Sequence, residues 1–175
     1  MTAALKLDTL FGFMAVLIYF ILVLIAQVNP PATPDIAQPG NIVVSIAWAQ
    51  GPDDVDLWLS SPLDNAVGYS NKSGKVWSLL RDDLGVTGDE TPLNYESAFS
   101  RGIPDGEYAV NVRCFQCGEP QAVNVEVRMA TGALVWRGVV PLTGSKDERT
   151  AVRWSMRGGS VVRGSESFVF KEMVK

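Results

Sequence analysis

The sequence predicts one N-terminal transmembrane α-helix followed by an all-β antiparallel sandwich domain. Three observations lead to this fold class. No charged residue occurs between Thr9 and Pro34, a proline-rich segment comes next, and the remaining chain alternates apolar and polar residues in short runs separated by turn signals. The 175 residues suit one such domain with an anchor, and we divide them into an anchor at 1–28, a linker at 29–40 and a domain at 41–175.

The predicted membrane helix covers residues 10–28, in which only Gln27 and the hydroxyl of Tyr19 are polar. At 1.5 Å rise per residue this segment is about 28 Å long, close to the thickness of the hydrocarbon core of a bilayer. It is longer than the apolar part of a secretory signal and no small-x-small cleavage site follows it, so we expect it to be retained. Lys6 precedes the span and the next basic residue is Lys72. This asymmetry predicts a cytoplasmic N-terminus, a bacterial inner-membrane location and a periplasmic domain.

Asp8 is the residue of the anchor with the clearest functional implication. One interpretation is that Asp8 and Thr9 cap the helix N-terminus. Alternatively, the helix begins near Ala3, because residues 3–7 are good helix formers, and Asp8 then lies in the second turn at the inner edge of the hydrocarbon. A carboxylate at that depth is costly unless it faces protein, water or an ion, so it is a candidate proton carrier.

The stretch LDTLFGFMAVLIYFILVLIAQVNPP, at residues 7–31, resembles the anchor helix of the MotB, ExbD and TolR family. Members of that family have a short cytoplasmic N-terminus, an Asp at the start of a single apolar span, and a periplasmic domain. The resemblance implies the B-type subunit of an ion-driven rotary motor, in which a homodimer sits inside a pentamer of MotA/ExbB/TolQ-like multi-span proteins. It implies that Asp8 carries H⁺ or Na⁺, with Thr9 as a hydrogen-bonding neighbour, and that no other cofactor is required. The outer domain shows no sign of the peptidoglycan-binding domain of MotB and is larger than that of ExbD, so the periplasmic target is not implied.

In the outer domain, apolar and polar residues alternate in short stretches, as they do in short β-strands. Seven stretches show it, at residues 42–48, 55–59, 108–113, 123–127, 134–140, 150–156 and 167–174. Turn signals such as Pro104-Asp105-Gly106 and Gly158-Gly159 separate them. We therefore expect seven to nine strands in an antiparallel sandwich, with no helix of more than about two turns.

Two segments of this domain, DDVDLWLSSP at 53–62 and PDGEYAVNV at 104–112, resemble the YfaP-type bacterial β-sandwich. That family has an acidic-rich strand ending in proline and a later Pro-x-Gly-x-Tyr strand. The resemblance implies the fold and no particular activity.

The acidic segment is also a candidate metal site. Asp53, Asp54 and Asp56, with Asp82 and Asp83, could supply oxygen ligands to Ca²⁺, although their spacing is not that of an EF-hand loop. The alternative is a solvated turn entering a strand.

Cys114 and Cys117 form a C-x-x-C motif that follows a predicted strand. A redox motif would need a helix N-terminus in a βαβ setting, so a hairpin tip is favoured. In an oxidising compartment the two cysteines either form a local disulfide or remain free.

Composition restricts the remaining functions. The net charge of −4 without basic clusters argues against nucleic-acid binding. The chain has no histidine, which excludes Ser-His-Asp and Cys-His catalysis, and we predict that it is not an enzyme. The alternative to a motor subunit is a membrane-tethered periplasmic binding module with no ion-conducting role.

Overall fold

The computed structural model describes residues 3–28, 40–85 and 92–174, so the predicted linker lies outside the described residues except for Gly40. The chain separates into two compact units, one with the helix and one with the β domain. The predicted fold class is confirmed, because an apolar helix is followed by antiparallel sheets and the described ranges contain no second helix.

The helix, α1, spans Ala3–Val28. It begins at Ala3 and not after Asp8, so the cap interpretation of Asp8 is wrong and this residue lies inside the helix. The segment Leu7–Ile25 is long and apolar enough to cross a membrane. Its side chains are exposed on every face, which is typical of a helix surrounded by lipid or by other membrane helices.

The described residues of the β domain form ten strands. They are β1 (Ile42–Ala47), β2 (Asp54–Ser61), β3 (Asp64–Val67), β4 (Trp77–Arg81), β5 (Tyr95–Ser100), β6 (Gly106–Gln116), β7 (Gln121–Met129), β8 (Leu134–Leu142), β9 (Glu148–Arg157) and β10 (Ser160–Val161). Sheet A has the order β4-β5-β1-β7-β8 and sheet B the order β10-β9-β6-β2-β3, and all neighbours are antiparallel.

The core lies between the inner faces of the two sheets. Alternate residues point into it, as in β1, where every second side chain is buried. Three aromatic side chains fill its centre: Trp77 meets Tyr108 edge to face, and Tyr108 stacks on Trp154. The Tyr108 hydroxyl donates to the Pro104 carbonyl at 2.8 Å, which fixes the entry into β6. This bond resembles the tyrosine corner of other sandwiches.

Six of the seven predicted strands are confirmed, and the seventh is wrong. Residues 167–174 form no strand; Ser167 exchanges two backbone hydrogen bonds with Arg153 of β9, and the chain then runs on without a ladder. Side chains hold it instead: Thr150 Oγ1 accepts from Lys171 N, and Glu148 Oε1 accepts from Met173 N. The apolar residues that suggested a strand include Met173, which packs on Trp58 outside the main core.

Four strands, β3, β4, β5 and β10, were not predicted. In β3 and β5 one reason is that a polar residue takes a buried position. Asp64 of β3 is an example: burial acts to raise its pKa, but hydrogen bonds from the backbone N–H groups of Trp77, Val76 and Lys75 outweigh burial and lower the pKa. This carboxylate joins β3 of sheet B to the start of β4 of sheet A.

Candidate functional site

Four carboxylates converge at one edge of the sandwich, and we call Asp54, Asp56, Asp82 and Glu96 the acidic cluster. One oxygen each from Asp56, Asp82 and Glu96 lies within 4.8 Å of the other two. Asp54 precedes Asp56 by two residues on β2, and its carboxyl interacts electrostatically with that of Asp82. Because β2 belongs to sheet B while Glu96 lies on β5 of sheet A, the cluster forms where the two sheets meet.

Glu96 explains why the two sheets approach here. Pairing between β2 and β3 covers only Leu59 and Ser61, so the earlier part of β2 has an open edge on that side. The Leu57 N–H donates to Glu96 Oε2 at 2.7 Å, and the Asp83 N–H donates to Oε1 at 3.2 Å. A side chain thus replaces a strand partner and ties β2 to the chain that follows β4.

Three oxygens of the acidic cluster are buried without a hydrogen-bond partner among the residues that the structure describes. They are Asp54 Oδ1, Asp56 Oδ2 and Asp82 Oδ1. The other oxygen of Asp82 forms an ion pair with Lys72 Nζ at 2.8 Å. Since a buried, unpartnered carboxylate oxygen is destabilising, these atoms need a proton, a water molecule or a cation.

The negative charges within the acidic cluster repel one another. Burial, followed by the charges of Asp82 and Asp83, raises the pKa of Asp54 to about 6. Burial and the charges of Asp54 and Asp82 raise the pKa of Asp56 to about 7, although the charge of Arg113 and the side chain of Trp58 oppose this shift. Burial also raises the pKa of Glu96 well above its usual range, despite the hydrogen bond from Leu57. Near neutral pH Asp54, Asp56 and Glu96 therefore hold protons more readily than ordinary carboxyl groups do.

These shifts predict that the cation-free domain becomes less stable as the pH rises. A carboxyl whose pKa is raised by folding binds more protons in the folded state than in the unfolded state. Its contribution to the free energy of unfolding is therefore complete below the pKa of the unfolded chain and is lost as the pH passes about 7. We expect the melting temperature in chelator to fall by roughly 5 °C between about pH 5 and pH 8. Tryptophan fluorescence of the full chain in detergent measures this, and no histidine titrates in the same range. The Asp56→Asn variant should show a flatter profile, whereas an unchanged slope would contradict the assignment.

Two acidic residues proposed as metal ligands lie beside the acidic cluster and have other partners. Asp53 accepts a hydrogen bond from Gly118 N at 2.8 Å and another from the Gln121 side chain, which ties the start of β2 to the turn before β7. Asp83 accepts from Arg81 Nη2 at 2.9 Å and from Tyr95 N at 3.1 Å. Of the predicted set, only Asp54, Asp56 and Asp82 come together.

Glu96 was not among the predicted ligands, although it is the most buried member of the acidic cluster, at 1 % exposure. Its signal was present but weak. In the segment Tyr95–Ser100 the inward positions are those of Glu96, Ala98 and Ser100, so a lone carboxylate alternates with small residues. A charged residue at an inward position of a strand indicates a specific partner, which here comes from β2.

Cys114 and Cys117 are joined as a disulfide with a Cα–Cα distance of 5.9 Å. They lie where β6 of sheet B ends and the chain turns towards β7 of sheet A, so the predicted hairpin tip is wrong. The motif is at the end of a strand and not at a helix N-terminus. Cys114 is fully buried in the core. The pair therefore closes a turn and lacks the setting of a thioredoxin-like redox motif.

Asp8 and Thr9 belong to the other compact unit, as the sixth and seventh residues of α1. Both side chains are exposed along the helix. Asp8 is the single charged residue of the segment Leu7–Ile25.

Comparison of the chain with protein-family models, curated proteins and solved structures finds no match. The fold and the site define a β-sandwich that carries an acidic cluster and follows a candidate membrane-spanning helix.

Proposed function

We propose that this chain is the B-type subunit of a proton- or sodium-driven rotary motor of the MotA/MotB or ExbB/ExbD type. In this proposal α1 crosses the bacterial inner membrane with its N-terminus in the cytoplasm, and the sandwich lies in the periplasm. Two copies sit inside a pentamer of a multi-span protein. Asp8 carries the ion with Thr9 beside it, and ion passage drives movement of the periplasmic domain against an unknown target.

One observation carries the proposal: Asp8 lies inside a continuous helix, within the apolar segment Leu7–Ile25. A carboxylate at such a position is stabilised by protein, water or an ion, and it is a functional candidate for that reason. A surrounding ring of multi-span subunits would supply this shelter. Gly12 and Ala15 follow Asp8 at helical spacing, and small residues on one face allow neighbouring helices to approach closely.

A second candidate function is a membrane-tethered binding module, in which α1 serves only as an anchor. The acidic cluster favours this alternative, because its buried, unpartnered oxygens lie in the sandwich and not in the helix. The sandwich would then be the functional part of the chain. Under this alternative, Asp8 would be a tolerated polar residue near the membrane surface.

Purification of the tagged full chain from its native membrane in a mild detergent separates the two functions. We expect a multi-span membrane protein to co-purify in molar excess, in a ratio measured by the mass of the intact complex. The control is a chimera in which residues 1–28 are replaced by an unrelated single-span helix, and it should lose the partner while keeping the sandwich folded. If the full chain purifies without a multi-span protein, or the chimera retains that protein, the motor proposal fails and the tether remains.

A further inference from the structure

We propose that the acidic cluster is a Ca²⁺-binding site in which carboxylate oxygens of Asp56, Asp82 and Glu96 bind the ion and Asp54 supplies a further oxygen. The site concerns the sandwich alone and is independent of the motor proposal. It joins the two sheets through a cation, in addition to the hydrogen bonds that Glu96 makes.

The spacing of the oxygens suits Ca²⁺. This ion takes oxygen ligands at about 2.3–2.6 Å, so ligands on opposite sides of it are up to about 5 Å apart. One oxygen each from Asp56, Asp82 and Glu96 falls within 4.8 Å of the other two. Little rearrangement is then needed to place one ion among them.

A second observation points independently to a ligand. Asp56 is only 3 % exposed, and its Oδ2 has no hydrogen-bond partner within the described ranges, although the buried backbone groups around it are paired in the β2–β6 ladder. The carboxylate belongs to the group of converging oxygens. A bound cation would satisfy this oxygen together with the orphan oxygens of Asp54 and Asp82.

The charge balance matches a divalent cation. The acidic cluster holds four carboxylates, while Lys72 pairs with Asp82 and Arg113 acts on Asp56. When every group is ionised, two negative charges remain, which one Ca²⁺ neutralises.

The ligand chemistry favours Ca²⁺ over other ions. All four donors are carboxylates, and these hard oxygen ligands do not select zinc or copper. Mg²⁺ retains most of its water and commonly uses one or two carboxylates, so three convergent carboxylates with Asp54 beside them fit it poorly. Asp54 and Asp82 are only partly buried and give the ion a path from solvent, while Asp56 and Glu96 form the floor.

The test is calorimetric and thermal titration of the full chain in detergent, stripped with chelator and titrated with CaCl₂ alone. We expect one ion per chain, a dissociation constant below about 1 mM, as in extracellular Ca²⁺ modules, and a rise in melting temperature of roughly 5 °C at saturation. MgCl₂ at the same concentration should produce a much smaller shift.

Asp56→Asn and Asp82→Asn should each weaken Ca²⁺ binding by about tenfold or more. Because Asp56→Asn removes a buried charge from a repulsive cluster, this variant should melt in chelator at about pH 8 no lower than wild type. A purely structural role for Asp56 would lower that temperature. The matched control is Asp105→Asn, an exposed acidic residue elsewhere in the domain, which should bind Ca²⁺ as the wild type does.

Three results overturn the assignment. The first is the absence of binding heat and of a thermal shift with Ca²⁺ up to about 10 mM, well above the range of extracellular sites. The second is a Ca²⁺-induced thermal shift in the Asp56→Asn and Asp82→Asn variants that equals the shift of the wild type. The third is a thermal shift with Mg²⁺ that equals the shift with Ca²⁺. None of these results bears on whether a multi-span partner co-purifies, so failure here is distinguishable from failure of the motor proposal.

Discussion

Replacing Asp8 by asparagine is expected to abolish ion flux through the complex while leaving its assembly intact. Asparagine has nearly the same size as aspartate and can hydrogen-bond, but it can neither release a proton nor neutralise Na⁺. Since Asp8 is the single charged residue of Leu7–Ile25, no neighbouring carboxylate in that segment can take over its role. The expected effect is therefore complete loss and not a modest reduction.

The measurement uses vesicles that contain the chain with its co-purified multi-span partner, in which a pH-sensitive or Na⁺-sensitive dye reports flux after a gradient is imposed. Flux in the Asp8→Asn vesicles should fall to the level of protein-free vesicles. Asp8→Glu is the matched control, because it retains a carboxylate on the same helix face and should keep part of the flux. Equal flux in wild type and Asp8→Asn would refute an ion-carrying role.

A chemical readout supports the same prediction without a flux assay. Dicyclohexylcarbodiimide is apolar and reacts with protonated carboxyl groups sheltered from water. We expect it to label Asp8 in the assembled complex and to label no residue of the anchor in the Asp8→Asn variant. Labelling of Asp8 should decrease at high pH or, for a sodium motor, when Na⁺ is present. Labelling is located by mass spectrometry of the anchor peptide. Failure to label Asp8 in the assembled complex would argue against a sheltered carboxyl.

Replacing Trp154 by alanine is expected to lower the free energy of unfolding of the sandwich by about 3–5 kcal/mol. Trp154 is fully buried on β9 and stacks on Tyr108, with 5.5 Å between ring centroids, so its removal leaves a large cavity at the centre of the core. A domain of this size has a total stability of about 5–15 kcal/mol, so the change removes a large fraction of it.

Trp154→Phe is the control, and we expect it to cost less than about 1.5 kcal/mol. The indole Nε1 of Trp154 is buried without an acceptor in the described part of the chain, so phenylalanine removes no hydrogen bond. Urea unfolding of the full chain in detergent measures both variants by tryptophan fluorescence. All five tryptophans lie in the sandwich, so the signal reports that unit. Similar losses for both variants would contradict the cavity argument, because phenylalanine fills most of the volume that alanine leaves empty.

Much of the fold was predictable because its signals are local. The helix needs only an uninterrupted apolar stretch, and its start at Ala3 follows from the helix formers before Asp8. Six strands followed from the alternation of apolar residues, as in β1 and β7, where every second side chain along most of the strand lies in the core. These patterns depend on sequence neighbours alone.

Two of the strands that were not predicted, β3 and β5, have a buried polar side chain where the alternation calls for an apolar one. Asp64 and Glu96 break the apolar alternation of β3 and β5, and their burial is tolerated because backbone N–H groups from distant strands satisfy them. No local pattern contains those donors. The error at residues 167–174 has the same origin, because the tail is held by side chains of β9 and not by a ladder.

By itself the sequence determined that an apolar helix with one carboxylate precedes a sandwich, and that Asp54 and Asp56 belong to an acidic strand. Only the tertiary structure decided which acidic residues meet. Asp53 and Asp83 have backbone and side-chain partners of their own, whereas Asp82 and Glu96, distant along the chain, join Asp54 and Asp56. The physical reason is that a carboxylate's neighbours across two sheets depend on strand order and register, which are properties of the folded chain as a whole.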